Sequence, residues 1–330
     1  MPTPTRPASD PLRGLRRLTI VTLASTLLLI AMGGAVRATD SGLACPDWPA
    51  CYGMWIPPAD LNIWLEHSHR LWAGVVGLMI AWLVGWTLLR HRRHRTLVVL
   101  SITSAVLVLV QAGLGAAVVL LHLRADLVTS HLGMSLIIVA CLIWIAGLAR
   151  RPQPDATPSA TSQRAGRWAA AVAALVFVQA LLGGQATGRG GAYVYNAVPF
   201  WLADQVWTGH AREVLHLTHR AGGYLVAAAV IVFAIAARRW VRREADAPRW
   251  LQVLPPLAVA LVVLQVALGL ANVLTRASVP SAVGHLAGAS WLWAALVGAA
   301  ALGLQTPARP TPPIPSNGPS VEPAEPELTT

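Results

Sequence analysis

The chain has 330 residues, 55% of them hydrophobic and 12% charged, and its formal net charge of +11 comes from arginine alone, since lysine is absent. The apolar residues gather into runs of about 20, the length a helix needs to cross a bilayer, which excludes a soluble globular domain. The positive charge does not point to nucleic acid either. The arginines cluster between the apolar runs, and the aromatic-basic interleaving that stacks bases is missing outside the span ends.

Eight membrane spans are read, at roughly 17–37, 63–89, 96–121, 127–149, 167–187, 212–237, 250–274 and 280–303. The runs are continuously apolar rather than alternating, so the expected fold is an all-α integral membrane protein and not a barrel. The first run is too long for a cleavable signal peptide, lacks an Ala-x-Ala site and leads into a loop of its own. Arginine distribution sets the orientation. Arg13, Arg16 and Arg17 precede span one, Arg90, Arg92, Arg93 and Arg95 join spans two and three, and Arg238, Arg239, Arg242 and Arg243 follow span six. The opposite loops carry few, so both termini are expected on the cytoplasmic side of the lipid bilayer.

In chain order, residues 1–12 and 305–330 are rich in Pro, Thr and Ser with nothing to bury and are expected to be disordered. After span one, the stretch Gly33-Gly34-Ala35-Val36-Arg37-Ala38-Thr39-Asp40-Ser41-Gly42 leads to Cys45-Pro46-Asp47-Trp48-Pro49-Ala50-Cys51. In an outer, oxidising compartment two nearby cysteines are expected to pair as a disulfide. A metal thiolate site is the alternative at Cys45 and Cys51, weakly supported without further Cys or clustered His. Cys141, inside span four, is read as a small buried apolar residue.

Span two opens with Glu66-His67-Ser68-His69-Arg70 and span six with His216-Leu217-Thr218-His219-Arg220, each pentad ending in His-Arg. His69 lies 35 residues beyond Gly34 and His219 lies 35 beyond Gly184; Gln111 precedes His131 by 20 residues, as Gln265 precedes His285. The offsets between halves are 150 and then 154, so the chain is an internal duplication with a four-residue insertion. The halves are expected to form two pseudosymmetric four-helix bundles, 17–149 and 167–303, joined by a cytoplasmic linker at 150–166 and flanked by tails 1–16 and 304–330.

Four histidines superpose between the halves: His69, His131, His219 and His285. Each half supplies one from its second helix and one from its fourth, the arrangement by which a four-helix bundle aims two imidazoles at one metal. Two ligands on opposing helices suit haem iron, whereas zinc or copper would call for three or four clustered ligands. Two haem sites are therefore read, one per half. Glu66 lies three residues from His69 on one helical face, and a carboxylate at the mouth of a membrane helix is a functional candidate; the plainer reading is a structural ion pair with Arg70. His216 replaces it in the second half, so only the first site has an acid beside its ligand. Gln111 and Gln265, with small residues at Gly113, Gly115, Ala267 and Gly269, are read as interhelical packing and hydrogen-bonding positions. His91 and His94 are expected to be solvated, and His122 and His210 to fall in outer loops.

Taken together, the Gly33–Gly42 stretch, the Cys-x5-Cys loop, Glu66-x-x-His69-Arg70, His131, His219-Arg220 and His285 resemble the bacterial haem A synthase family, over about residues 17–303. The resemblance implies an enzyme that oxidises the C8 methyl of haem O to a formyl group, giving haem A for terminal oxidases. It implies that His69 and His131 embrace the substrate haem, that His219 and His285 ligate a haem b cofactor, that Glu66 is the acid of turnover, and that Cys45 and Cys51 form the outer-loop disulfide. Members with a second cysteine pair carry it after span five, and residues 188–211 here contain none. Partners expected are haem O, the farnesyltransferase that makes it, and an external electron donor, since no nicotinamide or flavin fingerprint is present. Small-residue faces permit a homo-oligomer. The competing classes are a b-type membrane cytochrome that passes electrons without altering haem, and a transporter built from parallel repeats.

Overall fold

The computed structural model describes residues 11–150, 160–191, 194–195, 208–244 and 247–305. Within them the chain forms eight helices: α1 Arg13–Ala38, α2 Leu61–Arg90, α3 Arg95–Leu120, α4 Ala125–Leu148, α5 Ala160–Gly188, α6 Ala211–Arg243, α7 Arg249–Leu274 and α8 Val279–Gln305. All eight are long and apolar enough to cross a membrane. The two largest departures from the expected boundaries are polar extensions. Helix α5 starts at Ala160 rather than near residue 167, and α6 runs to Arg243 rather than 237. Hydrophobicity marks the bilayer and not the helix end; arginines continue a helix past the apolar zone because their heads reach water. Residues 1–10 and 306–330 of the expected tails, and most of the 188–211 loop and the 150–166 linker, lie outside the described residues.

Local chemistry sets the ends. Asp60 caps α2, its carboxylate accepting from the backbone N–H of Asn62 at 2.9 Å and of Ile63 at 3.1 Å. The turn joining α3 to α4 places two successive residues, His122 and Leu123, at φ of 58° and 57°; the turn joining α7 to α8 does the same with Arg276 and Ala277 at 52° and 57°. These pairs stand 154 residues apart, the offset of the later sequence landmarks. Non-glycine residues in this region cost about 1–2 kcal/mol each, so a doubled occurrence reflects one turn design used twice.

Helices α1 to α4 pack in a closed ring, α1 on α2, α2 on α3, α3 on α4 and α4 on α1; α5 to α8 form a second ring in the same order. The rings meet where α1 packs on α8 and α4 on α5 and α8. Small residues set the closest crossing: a Cβ added at Gly303 of α8 would stand 2.6 Å from the Cα of Gly166 on α5. Across the joint the buried indole of Trp293 donates to the main-chain oxygen of Leu136 at 2.9 Å. One buried cluster takes in Leu136 and Val139 of α4 and Leu296 of α8 at this seam and continues into the second ring with Phe233 and Trp250. The opposite surfaces are apolar and open, with Leu78 and Leu109 both 73% exposed and Leu89 82%, which fits lipid rather than water. On α1 the hydroxyls of Thr19, Thr22 and Thr26 each donate to the carbonyl four residues earlier.

Candidate functional site

The four histidines singled out by the repeat share one setting, each ring lying against a glycine of the preceding helix. An added Cβ at Gly33 of α1 would stand 3.1 Å from Cε1 of His69; at Gly115 of α3, 3.3 Å from that of His131; at Gly183 of α5, 2.7 Å from that of His219; and at Gly269 of α7, 3.2 Å from that of His285. The intervals repeat: 36 residues for the first and third, 16 for the second and fourth. Glycine is therefore required where the ring presses against backbone. Gly115 and Gly269, expected from sequence to aid helix approach, do so with a histidine ring as the approaching group.

A second shared element is a main-chain carbonyl beside each ring, that of Leu29 for His69, Gln111 for His131, Gln179 for His219 and Gln265 for His285. Each lies 40 residues before its histidine in the second-helix cases and 20 before in the fourth-helix cases. Nδ1 of His69, His131 and His285 is buried without a well-formed hydrogen bond. Nε2 of all four is without a hydrogen-bond partner among the described residues, although each residue as a whole is half-buried. A ring seated in this way with Nε2 left open has a nitrogen to offer a metal, as histidine ligands do.

The donor set fits haem. His219 and His285 face each other with ring centroids 6.3 Å apart and planes at 84°. Two imidazoles holding one ion from opposite sides, with metal–nitrogen bonds of about 2.0–2.1 Å, place their ring centres about 6 Å apart. His69 and His131 likewise lie within electrostatic reach of one another. Two imidazole nitrogens, with no carboxylate or thiolate grouped with them among the described residues, suit a porphyrin iron better than a bare ion.

Around these pairs, the pentads fasten loops. Glu66 is 3% exposed, and both carboxylate oxygens are occupied: Oε2 accepts from the backbone N–H of Cys45 at 2.8 Å and Oε1 from the Arg70 guanidinium at 2.5 Å. Arg70 also donates to the carbonyls of Asp47 at 2.5 Å, Ala50 at 2.6 Å and Cys45 at 3.2 Å. The ion-pair reading of Glu66 is thus realised, and its anchor is the cysteine loop. Cys45 and Cys51 form the expected disulfide, with Cα atoms 4.9 Å apart and both residues fully buried. His67 points away from His69, its Nε2–H donating to the carbonyl of Trp55 at 2.9 Å. A ring nitrogen of His67 and the sulfurs of Cys45 and Cys51 lie within 4.8 Å of one another, but sulfurs bonded to each other are poor metal ligands. Asp47 closes the loop tip, accepting from the N–H groups of Tyr52 and Gly53 at 2.6 Å each; these backbone donors, Gly53 first, hold its carboxyl below the ordinary range. In the second half Arg220 donates to the carbonyl of Tyr195 at 2.8 Å and His216 Nδ1–H to that of Gly191 at 2.5 Å, so the corresponding residues again hold the loop that follows the ring's first helix.

The remaining candidate residues stay apart. His91 is not solvated as expected: it caps α2, 9% exposed, because the short α2–α3 turn folds its ring inward beside His94 at 6.2 Å between centroids. His122 and His210 are exposed in loops, and Cys141 is a half-buried free thiol. A groove of about 450 Å³ between α5 and α6, lined by Trp168, Arg239, Trp240 and Arg243, contains no histidine and lies at the arginine-rich end of the bundle, away from the four rings. Three elements of the site were not foreseen from sequence: Gln179, the histidine-facing role of Gly33 and Gly183, and the Arg70 clamp. Gln179 carried no repeat signal, since the residue 40 before His69 is Leu29.

Fold and site together define a polytopic α-helical membrane protein with paired imidazoles between helices. The cytochrome oxidase assembly protein family model matches residues 16–297, and the chain belongs to that family. It is 31% identical to a heme A synthase of Shewanella oneidensis, over 84% of this chain and 93% of that protein. It is 29% identical to a heme A synthase of Shouchella clausii (80% and 88%), and 28% identical to one of Maricaulis maris (85% and 93%).

Proposed function

We propose that this protein is a haem A synthase, an oxidoreductase that converts the C8 methyl of haem O to a formyl group. The observation that carries the reading is the fourfold histidine–glycine–carbonyl arrangement, joined to relatives named for this activity along most of their length. On this reading 17–149 is the substrate half and 167–303 the cofactor half. His69 and His131 hold haem O, and His219 and His285 hold a haem b. That haem, when bound, supplies one-electron redox chemistry. The protein's own share is orientation: glycines let the rings seat against backbone, and Nε2 is left to bind.

Glu66 is the acid of the first half. Its carboxylate, pinned between Arg70 and the Cys45 N–H, ties proton handling at that mouth to the closed cysteine loop. The second half has His216 there and no acid. With the arginine-rich ends cytoplasmic, the cysteine loop and all four rings face the outer side of the cell membrane. Haem O arrives from the farnesyltransferase step, and electrons from an external donor.

The test is coexpression with a haem O supply followed by pigment extraction. Wild type yields haem A, and Glu66→Gln retains both haems while conversion stops. Only haem B in the wild-type extract would instead support an electron-passing cytochrome.

A further inference from the structure

We infer that the groove between α5 and α6 at the arginine-rich end of the bundle binds one anionic phospholipid, its phosphate held by Arg239 and Arg243 and an acyl chain laid against Val232, Ile235 and Ala236. These residues and Trp240 follow one another at helical intervals, so they share one face of α6. The face changes character along the helix. Within the span it is apolar; beyond Ala236, Arg239 and Arg243 flank the Trp240 indole. From Val232 to Arg243 the helix rises about 17 Å, close to the roughly 15 Å depth of one hydrocarbon leaflet. Across the groove Trp168 of α5, 43% exposed, meets Trp240 edge to face with ring centroids 6.0 Å apart. Indoles sit at headgroup level in a bilayer. Apolar wall, aromatic belt and cations thus follow the order of acyl chain, glycerol and phosphate.

Charge decides between classes of lipid. Arg239 and Arg243 are exposed, and neither has an ion-pair partner among the described residues, whereas Arg37, Arg70 and Arg124 each meet a carboxylate. Two guanidinium forks beside one cavity of about 450 Å³ match the oxygens of a phosphate group. A choline or ethanolamine headgroup brings its own cation to the same place and is disfavoured. Basic pockets between membrane helices select anionic headgroups on this ground.

The repeat shows what opens the groove. At the positions 150 residues earlier, Trp82 and Trp86 stand in place of Val232 and Ala236, and Leu89 in place of Arg239. Those two indoles stack with centroids 6.2 Å apart. Trp86 fills the space against α1 so closely that a Cβ added at Gly14 would stand 2.7 Å from it. Ala236, with a methyl where the first half has an indole, leaves the groove on α6 open. The extension of α6 to Arg243 completes it, since a helix ending near residue 237 would carry neither arginine on this face.

The test is native mass spectrometry of the purified full-length protein in detergent, titrated with dioleoyl phosphatidylglycerol or dioleoyl phosphatidylcholine. Wild type is expected to retain one phosphatidylglycerol at a concentration about tenfold below that needed for phosphatidylcholine. Arg239→Gln combined with Arg243→Gln should weaken that binding by about ten- to thirtyfold. Ala236→Trp, which restores the first-half indole without touching charge, should remove it, while Arg90→Gln combined with Arg93→Gln in the first half should leave it unchanged. Should Ala236→Trp fail to fold, the paired arginine variant of α6 decides alone. Equal retention of the two lipids by wild type, or wild-type phosphatidylglycerol binding once Arg239 and Arg243 are replaced, overturns the inference. A dimer that forms without regard to lipid and is dissolved by Ala236→Trp also overturns it, and gives the groove to a second copy of the chain.

Discussion

The ring of His219 occupies the space a side chain at Gly183 would need, with only 2.7 Å between an ideal Cβ and its Cε1. This is the tightest of the four histidine–glycine contacts, and real Cβ atoms do not approach so closely. Gly183→Ala is expected to force the ring aside, overpacking costing about 1–3 kcal/mol. Haem content of the purified variant should fall below half at the second site, with the first unchanged. Gly115→Ala, at 3.3 Å, should lose far less. Equal retention in both variants would count against the rings being held by these contacts.

Arg70 is the hub of the cysteine loop, gripping three carbonyls and the Glu66 carboxylate. Arg70→Ala leaves a buried carboxylate unpaired, a loss of about 3–5 kcal/mol. The expected result is a lowered melting temperature in detergent and faster reduction and alkylation of Cys45 and Cys51, read by mass shift. Arg70→Lys should fall between, since an ammonium lacks the fork that reaches several oxygens at once.

Asp47 gives the loop a pH dependence of known sign. Its carboxyl is held below its ordinary value of 3.8 by the N–H groups of Gly53 and Tyr52. A depressed folded value means that the stabilisation is fully present above the unfolded value and is lost as pH falls through the folded one. Protease sensitivity of the 45–54 loop should stay flat from neutral pH down through 3.8 and rise only below it. Asp47→Asn should remove that acid-dependent rise, and a wild-type rise starting well above 3.8 would contradict the assignment.

The indole of Trp293 spans the seam between the rings to the carbonyl of Leu136. Trp293→Phe keeps an aromatic in the core but removes this second hydrogen bond to a carbonyl already bonded within α4, costing about 0.5–1.5 kcal/mol. Thermal unfolding of the detergent-purified protein should shift down modestly, and haem content should hold.

The eight helices were legible because lipid imposes one rule along the whole chain, a long apolar run with every backbone group satisfied within it. The ends at Ala160 and Arg243 were not, because beyond the bilayer nothing in hydropathy tells a continuing arginine-bearing helix from a loop. His69, His131, His219 and His285 stood out through repetition. The glycines that seat them were visible only as landmarks, since Gly33 meets a ring 36 residues away on another helix and spacing does not say which faces meet. Glu66 stood out as a candidate, but its partner Cys45 N–H belongs to a loop whose path the sequence leaves open. Gln179 escaped notice because the repeat places Leu29 opposite it, and a comparison of halves draws the eye to what is shared.

Two imidazole pairs gripping two haems with unequal roles are tested most directly by pigment analysis of wild type and of His69→Ala, His131→Ala, His219→Ala and His285→Ala, each coexpressed with a haem O supply and purified. Wild type should yield haem A; the first two variants should keep the haem b spectrum and make no haem A, while the last two should lose haem b. A colourless wild-type protein, or spectra and products unchanged across all four substitutions, would contradict the account.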